Sequence, residues 1–274
     1  MNTTTTLKAE EIRGFVRERY GAIATQAGDN DGCGCTSSGC CGGGDADREV
    51  IGYGEKLGYS AADLAAAPAG SDLGLGCGNP VAIASIRPGE TVLDLGSGAG
   101  FDCFLAARQL AGTGRVIGVD MTAAMITKAR ANAVKGGYPN VEFRLGEIEA
   151  LPVADASVDL ILSNCVINLS PEKARVFAEA FRVLKPGGRL AIADVVATRP
   201  LPATLREKLS AIGACVGGAT RVDELRALLA EAGFARVEIV PKESSRDYIR
   251  HWTDDADAGD YVVSALITAY KPTP

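Results

Sequence analysis

The strongest constraint on the fold is residues 91–120, which read TVLDLGSGAGFDCFLAARQLAGTGRVIGVD. A short apolar run ends at a turn containing Gly96, Gly98 and Gly100, and a segment with helical spacing of apolar residues follows. Two further glycines break the chain, and a second apolar run ends in Asp120. This order of strand, glycine turn, helix, turn, strand and acid predicts one parallel βαβ unit.

The βαβ unit predicts a ligand that carries a ribose and an ammonium group. Glycines after a parallel strand let a ligand approach the backbone closely, and the helix behind them begins with unpaired N–H groups. Asp120 lies 20 residues after Gly100, where an acid can accept hydrogen bonds from both hydroxyls of a ribose. Asp94 precedes the first glycine, and its carboxylate would repel a pyrophosphate but suits the ammonium of an amino-acid cofactor.

The glycine spacing separates this turn from the dinucleotide fingerprint, because the chain has G-x-G-x-G in place of G-x-G-x-x-G. The pattern resembles the first motif of methyltransferases that use S-adenosyl-L-methionine (SAM) and have a Rossmann-like fold. The alternative for the glycine turn is an NAD-binding turn or a purely structural turn. For Glu147, one of the residues named next, the alternative is an acidic side chain in solvent. The residues expected to bind the cofactor are Asp94, Gly96, Ser97, Gly98, Gly100, Asp120, Met121, Gly146, Glu147, Ile148 and Asn164.

Further along the chain, apolar runs alternate with helical segments, which predicts an α/β fold. With the motif, this implies a Rossmann-like class I methyltransferase: a mostly parallel seven-stranded sheet with helices on both faces. Residues 236–240 and 261–270 are expected to form an antiparallel last strand pair, and residues 201–214 a helix. We divide the chain into three parts by their predicted roles. They are residues 1–50, an N-terminal helix and Cys-rich mobile loop; residues 51–200, the SAM-binding core; and residues 201–274, which complete the sheet and the substrate site.

Charge and hydropathy argue against several classes of partner. The net charge of −6 provides no basic surface of the kind that nucleic acids require. No apolar stretch is long enough to span a bilayer, and the N-terminal MNTTTTLKAEE lacks the features of a secretory signal. We therefore expect a cytoplasmic protein without nucleic-acid or membrane partners, for which a monomer suffices.

Cysteine is the unusual residue in this composition, with eight in the chain beside a single histidine. Cys33, Cys35, Cys40 and Cys41 lie in a Gly-rich stretch that cannot form a core and is interpreted as a mobile loop. Clustered thiols of this kind can capture soft metals or metalloids. Their spacing does not match a zinc finger, so a structural zinc site and adventitious disulfides are the alternatives.

Three other cysteines, Cys77, Cys165 and Cys215, each lie in a loop expected on the cofactor side of the sheet. Cys77 sits among three glycines without apolar cover, which favours an exposed, functional thiol; a packing cysteine is the alternative at Cys165. Cys103, inside the first helix of the βαβ unit, is expected in the core. Three thiols without histidine suit a soft ion that prefers three ligands, and trivalent arsenic fits this description.

From residue 20 to the C-terminal YVVSALITAYKP, the chain resembles the arsenite methyltransferases, which add methyl groups from SAM stepwise to trivalent arsenic. The segments carrying the resemblance are LGLGCGNP, LDLGSGAGFD, IGVDMT, EALP, SNCVINL and GACVGG. The resemblance implies that Cys77, Cys165 and Cys215 hold the arsenic without a metal cofactor, and that Cys40 or Cys41 helps to bind and re-reduce it. It also implies arsenite or its thiol complexes as substrate, with thioredoxin or glutathione as the thiol reductant.

Two other functions remain open from the sequence. One is a SAM-dependent methyltransferase of a small organic molecule such as a quinone or sterol, which would not need three glycine-flanked cysteines. The other is a non-catalytic metalloid-binding protein that retains a SAM site. Methylation of arsenite would separate the first expectation from both alternatives.

Overall fold

The computed structural model describes residues 7–26, 53–253 and 258–274. Its strands are β1 (Thr91–Leu95), β2 (Arg115–Asp120), β3 (Val141–Leu145), β4 (Val158–Asn164), β5 (Leu184–Ala197), β6 (Thr220–Arg221), β7 (Ala235–Lys242) and β8 (Val262–Tyr270). Its helices are α1 (Ala9–Gln26), α2 (residues 53–57), α3 (Ala61–Ala66), α4 (Pro80–Ile83), α5 (Phe101–Gln109), α6 (Ala123–Gly136), α7 (Lys173–Val183), α8 (Ala203–Arg206), α9 (Leu209–Gly213), α10 (Val222–Glu231), α11 (Arg246–Ile249) and α12 (Ala258–Tyr261).

The strands form a single sheet in the order β3-β2-β1-β4-β5-β8-β7, and β6 pairs with β5 off this path. The pairs from β3 to β5 are parallel, whereas β8 runs antiparallel to both β5 and β7. The predicted mostly parallel sheet with an antiparallel last strand pair is therefore confirmed. The additional strand, β6, has only two residues, which is too short to give a recognisable pattern.

Apolar cores cover both faces of the sheet. Successive residues of a strand point to opposite faces. Accordingly Leu93 packs in one core with Phe177 of α7, and Val92 packs in the other with Phe104 of α5. The prediction of helices on both faces is confirmed, and this packing fixes the carboxyl ends of the parallel strands at one edge.

The predicted single helix over residues 201–214 is wrong. The chain instead forms α8 and α9, separated at Lys208, whose φ of −101° and ψ of 112° are extended. The break lets Ala211 and Ile212 of α9 turn into the core, where they are 1% and 5% exposed. The segment that follows α9 then carries Cys215 towards the end of β4.

The N-terminal Cys-rich segment, with Cys33, Cys35, Cys40 and Cys41, lies outside the described residues, so the predictions for it stay predictions. The strands of residues 201–274 join the sheet of the preceding core, because β8 lies between β5 and β7. In the described ranges, every helix is too short or too polar to cross a bilayer.

Candidate active site

A cleft opens at the carboxyl ends of β1, β2 and β4. This edge is where open parallel sheets bind their ligands. Most of the residues predicted to bind a cofactor line the cleft. They are Asp94, Gly96, Ser97, Gly98, Asp120, Met121, Gly146, Ile148 and Asn164.

The turn after β1 combines a fixed backbone with open space. The N–H groups of Gly96 and Ser97 donate to the carbonyl of Val119 at 2.7 and 3.0 Å, which ties the turn to β2. Gly98 has a φ of 51°, and nothing in the described structure lies within 4 Å of the position that a Cβ would take. The backbone at Gly98 is therefore open to close approach by a ligand.

Asp120, the last residue of β2, is the carboxylate at the position expected for a ribose partner. Its Oδ2 accepts a hydrogen bond from the Gly98 N–H at 3.0 Å, and its Oδ1 accepts one from the Thr122 N–H at 2.8 Å. Burial raises the pKa of Asp120, and the two backbone donors oppose that rise. The Thr122 side chain also donates to this carboxylate. Because the two oxygens have about four lone-pair sites in all, the group can still accept a hydrogen bond from a ligand hydroxyl.

Two further carboxyls, Asp94 and Asp102, line the cleft beside the glycine turn. Burial, followed by the neighbouring charge of Asp102, raises the pKa of Asp94 well above its ordinary value. Burial also raises the pKa of Asp102 to about 6, against the hydrogen bonds from Tyr59 and Asn164. A cation bound here would lower the raised pKa values of both carboxyls by stabilising their ionised forms, and the ammonium of an amino-acid cofactor is such a cation. Sequence reasoning missed Asp102, although it directly follows the glycine turn in the first turn of α5.

Ser97 gives an independent test of whether the residues fit a bound cofactor. Its hydroxyl is buried and has no hydrogen-bond partner within the described part of the chain. Buried polar atoms are nearly always paired, so an orphan that borders a cleft indicates a missing ligand partner. Together with the open backbone at Gly98, the residues present fit a nucleoside–amino-acid cofactor such as SAM.

Two residues predicted to bind the cofactor lie elsewhere. Gly100, with a φ of 98°, begins α5, and a Cβ there would come within 2.7 Å of the Phe104 and Phe143 rings. The carboxylate of Glu147 forms ion pairs with Arg17 and, at 3.7 Å, with Arg13 of α1. In this structure Gly100 allows helix packing and Glu147 helps to hold α1, so neither is among the residues that line the cleft.

Helix α1 borders the cleft and contacts distant segments of the chain at two points along its length. Arg13 is 7% exposed and forms ion pairs with Glu149, at 3.5 Å, and with Glu172. About two turns further along α1, Tyr20 donates a hydrogen bond from its hydroxyl to the carbonyl of Gly213 at 3.2 Å. Arg13 and Tyr20 both line the cleft. No local sequence pattern predicts this role of Arg13, because Glu149 and Glu172 are more than 130 residues away in the chain.

The three cysteines singled out from the sequence come together at the end of the cleft. The Sγ atoms of Cys77 and Cys165 and a carboxylate oxygen of Asp194 all lie within 4.8 Å of one another. The Cys215 thiol donates to the carbonyl of Cys165 at 2.8 Å. Cys165 and Cys215 have φ values of 59° and 62°, a left-handed conformation that is uncommon outside glycine. Of the three, only Cys165 is among the residues that line the cleft.

The prediction that Cys77 is exposed is wrong, because its side chain is 0% exposed. A Cβ on Gly76 would come within 2.8 Å of the Asn164 amide nitrogen, and one on Gly78 within 2.8 Å of the Ala193 Cβ. The glycines beside Cys77 thus let its loop press against β4 and β5. Here they indicate close backbone packing around a buried thiol and not exposure to solvent.

The environment keeps these thiols protonated at neutral pH. Burial raises the pKa of Cys77 to about 11, although the Cys165 thiol partly offsets it. Burial, as the largest cause, also raises the pKa of Cys165 well above its ordinary value. For Cys215, the hydrogen bond with Cys165 is the largest cause of a raised pKa, and burial adds to it. A fourth described cysteine, Cys103, is buried in α5 as predicted and donates to Asp94 at 3.2 Å.

Comparison with known proteins agrees with the class that the fold and the cleft define. A family model described as a methyltransferase domain matches residues 86–233. The crystal structure of an arsenic(III) S-adenosylmethionine methyltransferase from Chlamydomonas reinhardtii has a TM-score of 0.62 and 33% identity to this chain, covering 83% of this chain and 73% of that one. The protein is a SAM-dependent methyltransferase with the class I fold.

Curated relatives define the family more closely. The arsenite methyltransferase of Halobacterium salinarum is 55% identical over 269 residues, which cover 96% of this chain and 67% of that protein. The arsenite methyltransferase of Aquipseudomonas alcaligenes is 44% identical over 172 residues, which cover 60% of this chain and 49% of that protein. The chain belongs to the arsenite methyltransferase family, and its match spans about half of the Aquipseudomonas protein.

Proposed function

We propose that this chain transfers methyl groups from SAM to trivalent arsenic held by the thiolates of Cys77, Cys165 and Cys215. The observation that carries the proposal is the place of Cys165. It lines the cofactor cleft, and it also contacts the other two buried cysteines. An atom bound to its sulfur would therefore lie at the boundary between the cofactor and the thiol cluster.

The buried, protonated thiols suit arsenite as As(OH)₃. As each arsenic–sulfur bond forms, one arsenic–oxygen bond breaks, and the thiol proton leaves with the hydroxide as water. Three thiols and one As(OH)₃ thus give a neutral As(SR)₃ group and three waters, with no net release of protons. A neutral product can remain buried, whereas the separate thiolates would be costly in this environment.

The cofactor contacts follow from the cleft. We infer that Asp120 accepts hydrogen bonds from the ribose hydroxyls and that Asp94 and Asp102 face the ammonium of the methionine part. We also infer that Met121 and Ile148, which line the cleft, pack against the adenine. When bound, SAM supplies an electrophilic methyl group on a positively charged sulfur.

The methyl transfer needs no general base, because the nucleophile is the lone pair of the trivalent arsenic. The part that Cys165 plays is orientation: it holds the arsenic beside the cleft with the lone pair directed into it. Orientation of reacting groups can supply about 7–11 kcal/mol of a barrier, so it can account for much of the rate on its own. The three thiols and the cofactor site therefore act together and are of little use separately.

Transfer of a methyl cation oxidises the arsenic by two electrons, so a second cycle requires two electrons from a reductant. Two thiols can supply them by forming a disulfide. The family resemblance assigns part of this step to Cys40 or Cys41, with thioredoxin or glutathione returning the disulfide to thiols. We place the reaction in the cytoplasm, where such reductants keep thiols reduced.

Arsenic speciation tests the proposed function. Purified protein is incubated with SAM, arsenite and glutathione, and the arsenic species are separated and detected by mass. We expect methylated arsenic from the wild type and a loss of at least about a hundredfold for Cys165→Ser, because small displacements of a reacting group cost this much. Cys103→Ser is the matched control, since serine can still donate to Asp94 and the position is outside the thiol cluster. If the wild type binds SAM and forms no methylated arsenic, methylation of a small organic molecule becomes the better account.

A further inference from the structure

The side-chain amide of Asn164 joins two loops at the last residue of β4, immediately before Cys165. Its Oδ1 accepts a hydrogen bond from the Cys77 N–H at 3.0 Å, and its Nδ2 donates to the Gly78 carbonyl at 2.9 Å. The amide thus binds the backbone on both sides of Cys77. Because Asn164 is covalently bonded to Cys165, these two bonds fix the Cys77 loop relative to the second thiol.

The absence of a side chain at Gly76 lets the Cys77 loop lie against the Asn164 amide. A Cβ at Gly76 would come within 2.8 Å of the Asn164 Nδ2 and 3.1 Å of its Oδ1, so the loop lies directly against the amide. The remaining backbone acceptors of the loop are held as well. Tyr53 donates to the Gly76 carbonyl at 3.0 Å, and Ser264 donates to the Cys77 carbonyl at 2.6 Å.

The same amide also contacts two residues that line the cofactor cleft, Tyr59 and Asp102. The Nδ2 of Asn164 lies 2.9 Å from the Tyr59 hydroxyl and 3.1 Å from the Asp102 Oδ2. The Tyr59 hydroxyl in turn donates to the Asp102 Oδ1 at 2.6 Å. Tyr59, Asp102 and Asn164 all line the cleft. An amide nitrogen has only two hydrogens, so Asp102, Tyr59 and the Gly78 carbonyl compete for them.

We propose that Asn164 is a positioning residue that sets the spacing of the Cys77 and Cys165 thiols and makes it depend on whether the cofactor cleft is filled. A ligand ammonium at Asp102 engages the carboxylate oxygens that otherwise compete for the Asn164 amide. The amide is then left to the Gly78 carbonyl, and the Cys77 loop is held more firmly beside Cys165. Cofactor binding therefore tightens arsenite binding, and by linkage arsenite tightens cofactor binding by the same factor. This inference rests on the proposed binding of arsenite to these thiols.

The experiment measures arsenite binding with and without a saturating concentration of S-adenosylhomocysteine, which carries the ammonium but cannot transfer a methyl group. Binding is followed by ultrafiltration with arsenic mass detection. Retention that persists in Cys77→Ser is subtracted, so that only the thiol cluster is counted. For the wild type we expect the dissociation constant to fall by at least about fivefold when the cleft is filled, within the usual range of such coupling.

Two variants remove the link at different points. Asn164→Ala should weaken arsenite binding and bring the coupling factor close to one. Tyr59→Phe keeps the ring that packs on Phe101, and it removes only the hydroxyl between Asp102 and Asn164. Tyr59→Phe should reduce the coupling factor while arsenite binding to the empty protein stays within about twofold, because both hydrogen bonds of Asn164 to the Cys77 loop remain.

Asn132→Ala is the control for the loss of a buried amide. Asn132 is 7% exposed and donates to the carbonyls of Ala99 and Gly70 at 3.0 and 3.3 Å, away from the thiols. It should keep the wild-type coupling. Equal arsenite affinity with and without S-adenosylhomocysteine in the wild type, or undiminished coupling in both Asn164→Ala and Tyr59→Phe, would overturn the inference alone. Failure of the wild type to bind arsenite through Cys77 would overturn the proposed function with it.

Discussion

Most of the polar groups on the cofactor side of the cleft come from one continuous stretch, residues 91–120, with Gly146, Ile148 and Asn164 added by later segments. The thiol side is instead assembled from three loops that are far apart in the chain, around Cys77, Cys165 and Cys215. The cofactor side is polar and presents open backbone at Gly98 and carboxylates at Asp94 and Asp120. The thiol side is buried, and Cys77, the most enclosed of its cysteines, is 0% exposed. Each side suits the partner proposed for it. The charged and hydroxylated groups of the cofactor would meet hydrogen-bonding side chains, and a neutral arsenic–sulfur group would lie in buried surroundings that also include the Asp194 carboxylate.

This contrast gives one edge of the sheet two chemically different surroundings. On the cofactor side, the open position at Gly98 and the half-buried Asp120 are accessible to a ligand, whereas Asp94 is only 3% exposed. The thiols on the far side of β4 are instead enclosed by backbone segments that approach closely. Cys165 belongs to both sides, because it lines the cleft and also contacts Cys77 and Cys215. In the proposed reaction, the arsenic bound to its sulfur would receive the methyl group.

The largest expected effects are on ligand affinity, and each variant should weaken the ligand of one side of the cleft only. Asp120→Ala should weaken S-adenosylhomocysteine binding by roughly 10- to 100-fold, because hydrogen bonds to charged groups are each worth about 1.5–3 kcal/mol. It should leave arsenite binding to the empty protein within about twofold. Cys215→Ser should give the opposite pattern. Calorimetry with S-adenosylhomocysteine and ultrafiltration with arsenite measure both, and a variant that weakens both ligands equally would contradict the separation.

The close packing around the thiols should appear in folding stability. A Cβ at Gly218 would overlap the carbonyl oxygen of Asn168, so Gly218→Ala should lower the free energy of unfolding by about 1–3 kcal/mol. Gly14, exposed in α1 with nothing described within 4 Å of a Cβ, is the matched control. Gly14→Ala should instead raise stability by about 0.5–1 kcal/mol. Urea unfolding compares the two, and a harmless Gly218→Ala would show that this loop is looser than described.

The last effect is the pH dependence of the free energy of unfolding, through Asp102 in the ligand-free protein. Burial raises the pKa of Asp102 from its ordinary 3.8 to about 6, so the folded protein keeps a proton in this interval that the unfolded chain releases. Its contribution to stability should therefore decline from about pH 4 to pH 6 and level off above. Asp102→Asn removes this titration, so its urea midpoint should rise relative to the wild type across that window. A constant difference between the two proteins would show that Asp102 does not titrate there.

The cofactor side could be predicted from sequence because its determinants are local. The glycine turn, the following helix and Asp120 occur in one βαβ unit, and the sheet edge on which they meet is fixed by parallel strand packing. The antiparallel final strands were also predictable, from two separate apolar runs. Asp102 could have been found by the same reasoning, since it lies in the first turn of the helix after the glycines.

The three cysteines of the thiol side could be predicted from sequence, but their burial could not. Glycines around Cys77 were interpreted as exposure, and only the three-dimensional contacts of Gly76 and Gly78 with Asn164 and Ala193 show that they permit burial. The resemblance to methyltransferases predicts that Glu147, which follows the third strand, binds the cofactor, yet its partners Arg13 and Arg17 come from α1. Contacts between segments far apart in the chain leave no local pattern, so a single sequence does not contain the signal.

The most direct test of the central claim is X-ray absorption at the arsenic edge for the arsenite-loaded protein with S-adenosylhomocysteine. Binding by Cys77, Cys165 and Cys215 predicts three sulfur neighbours and no oxygen in the wild type. It also predicts that Cys215→Ser replaces one sulfur neighbour by oxygen. An arsenic spectrum that is unchanged in Cys215→Ser would contradict the account, because the arsenic would then be held by thiols other than the cluster at the end of β4.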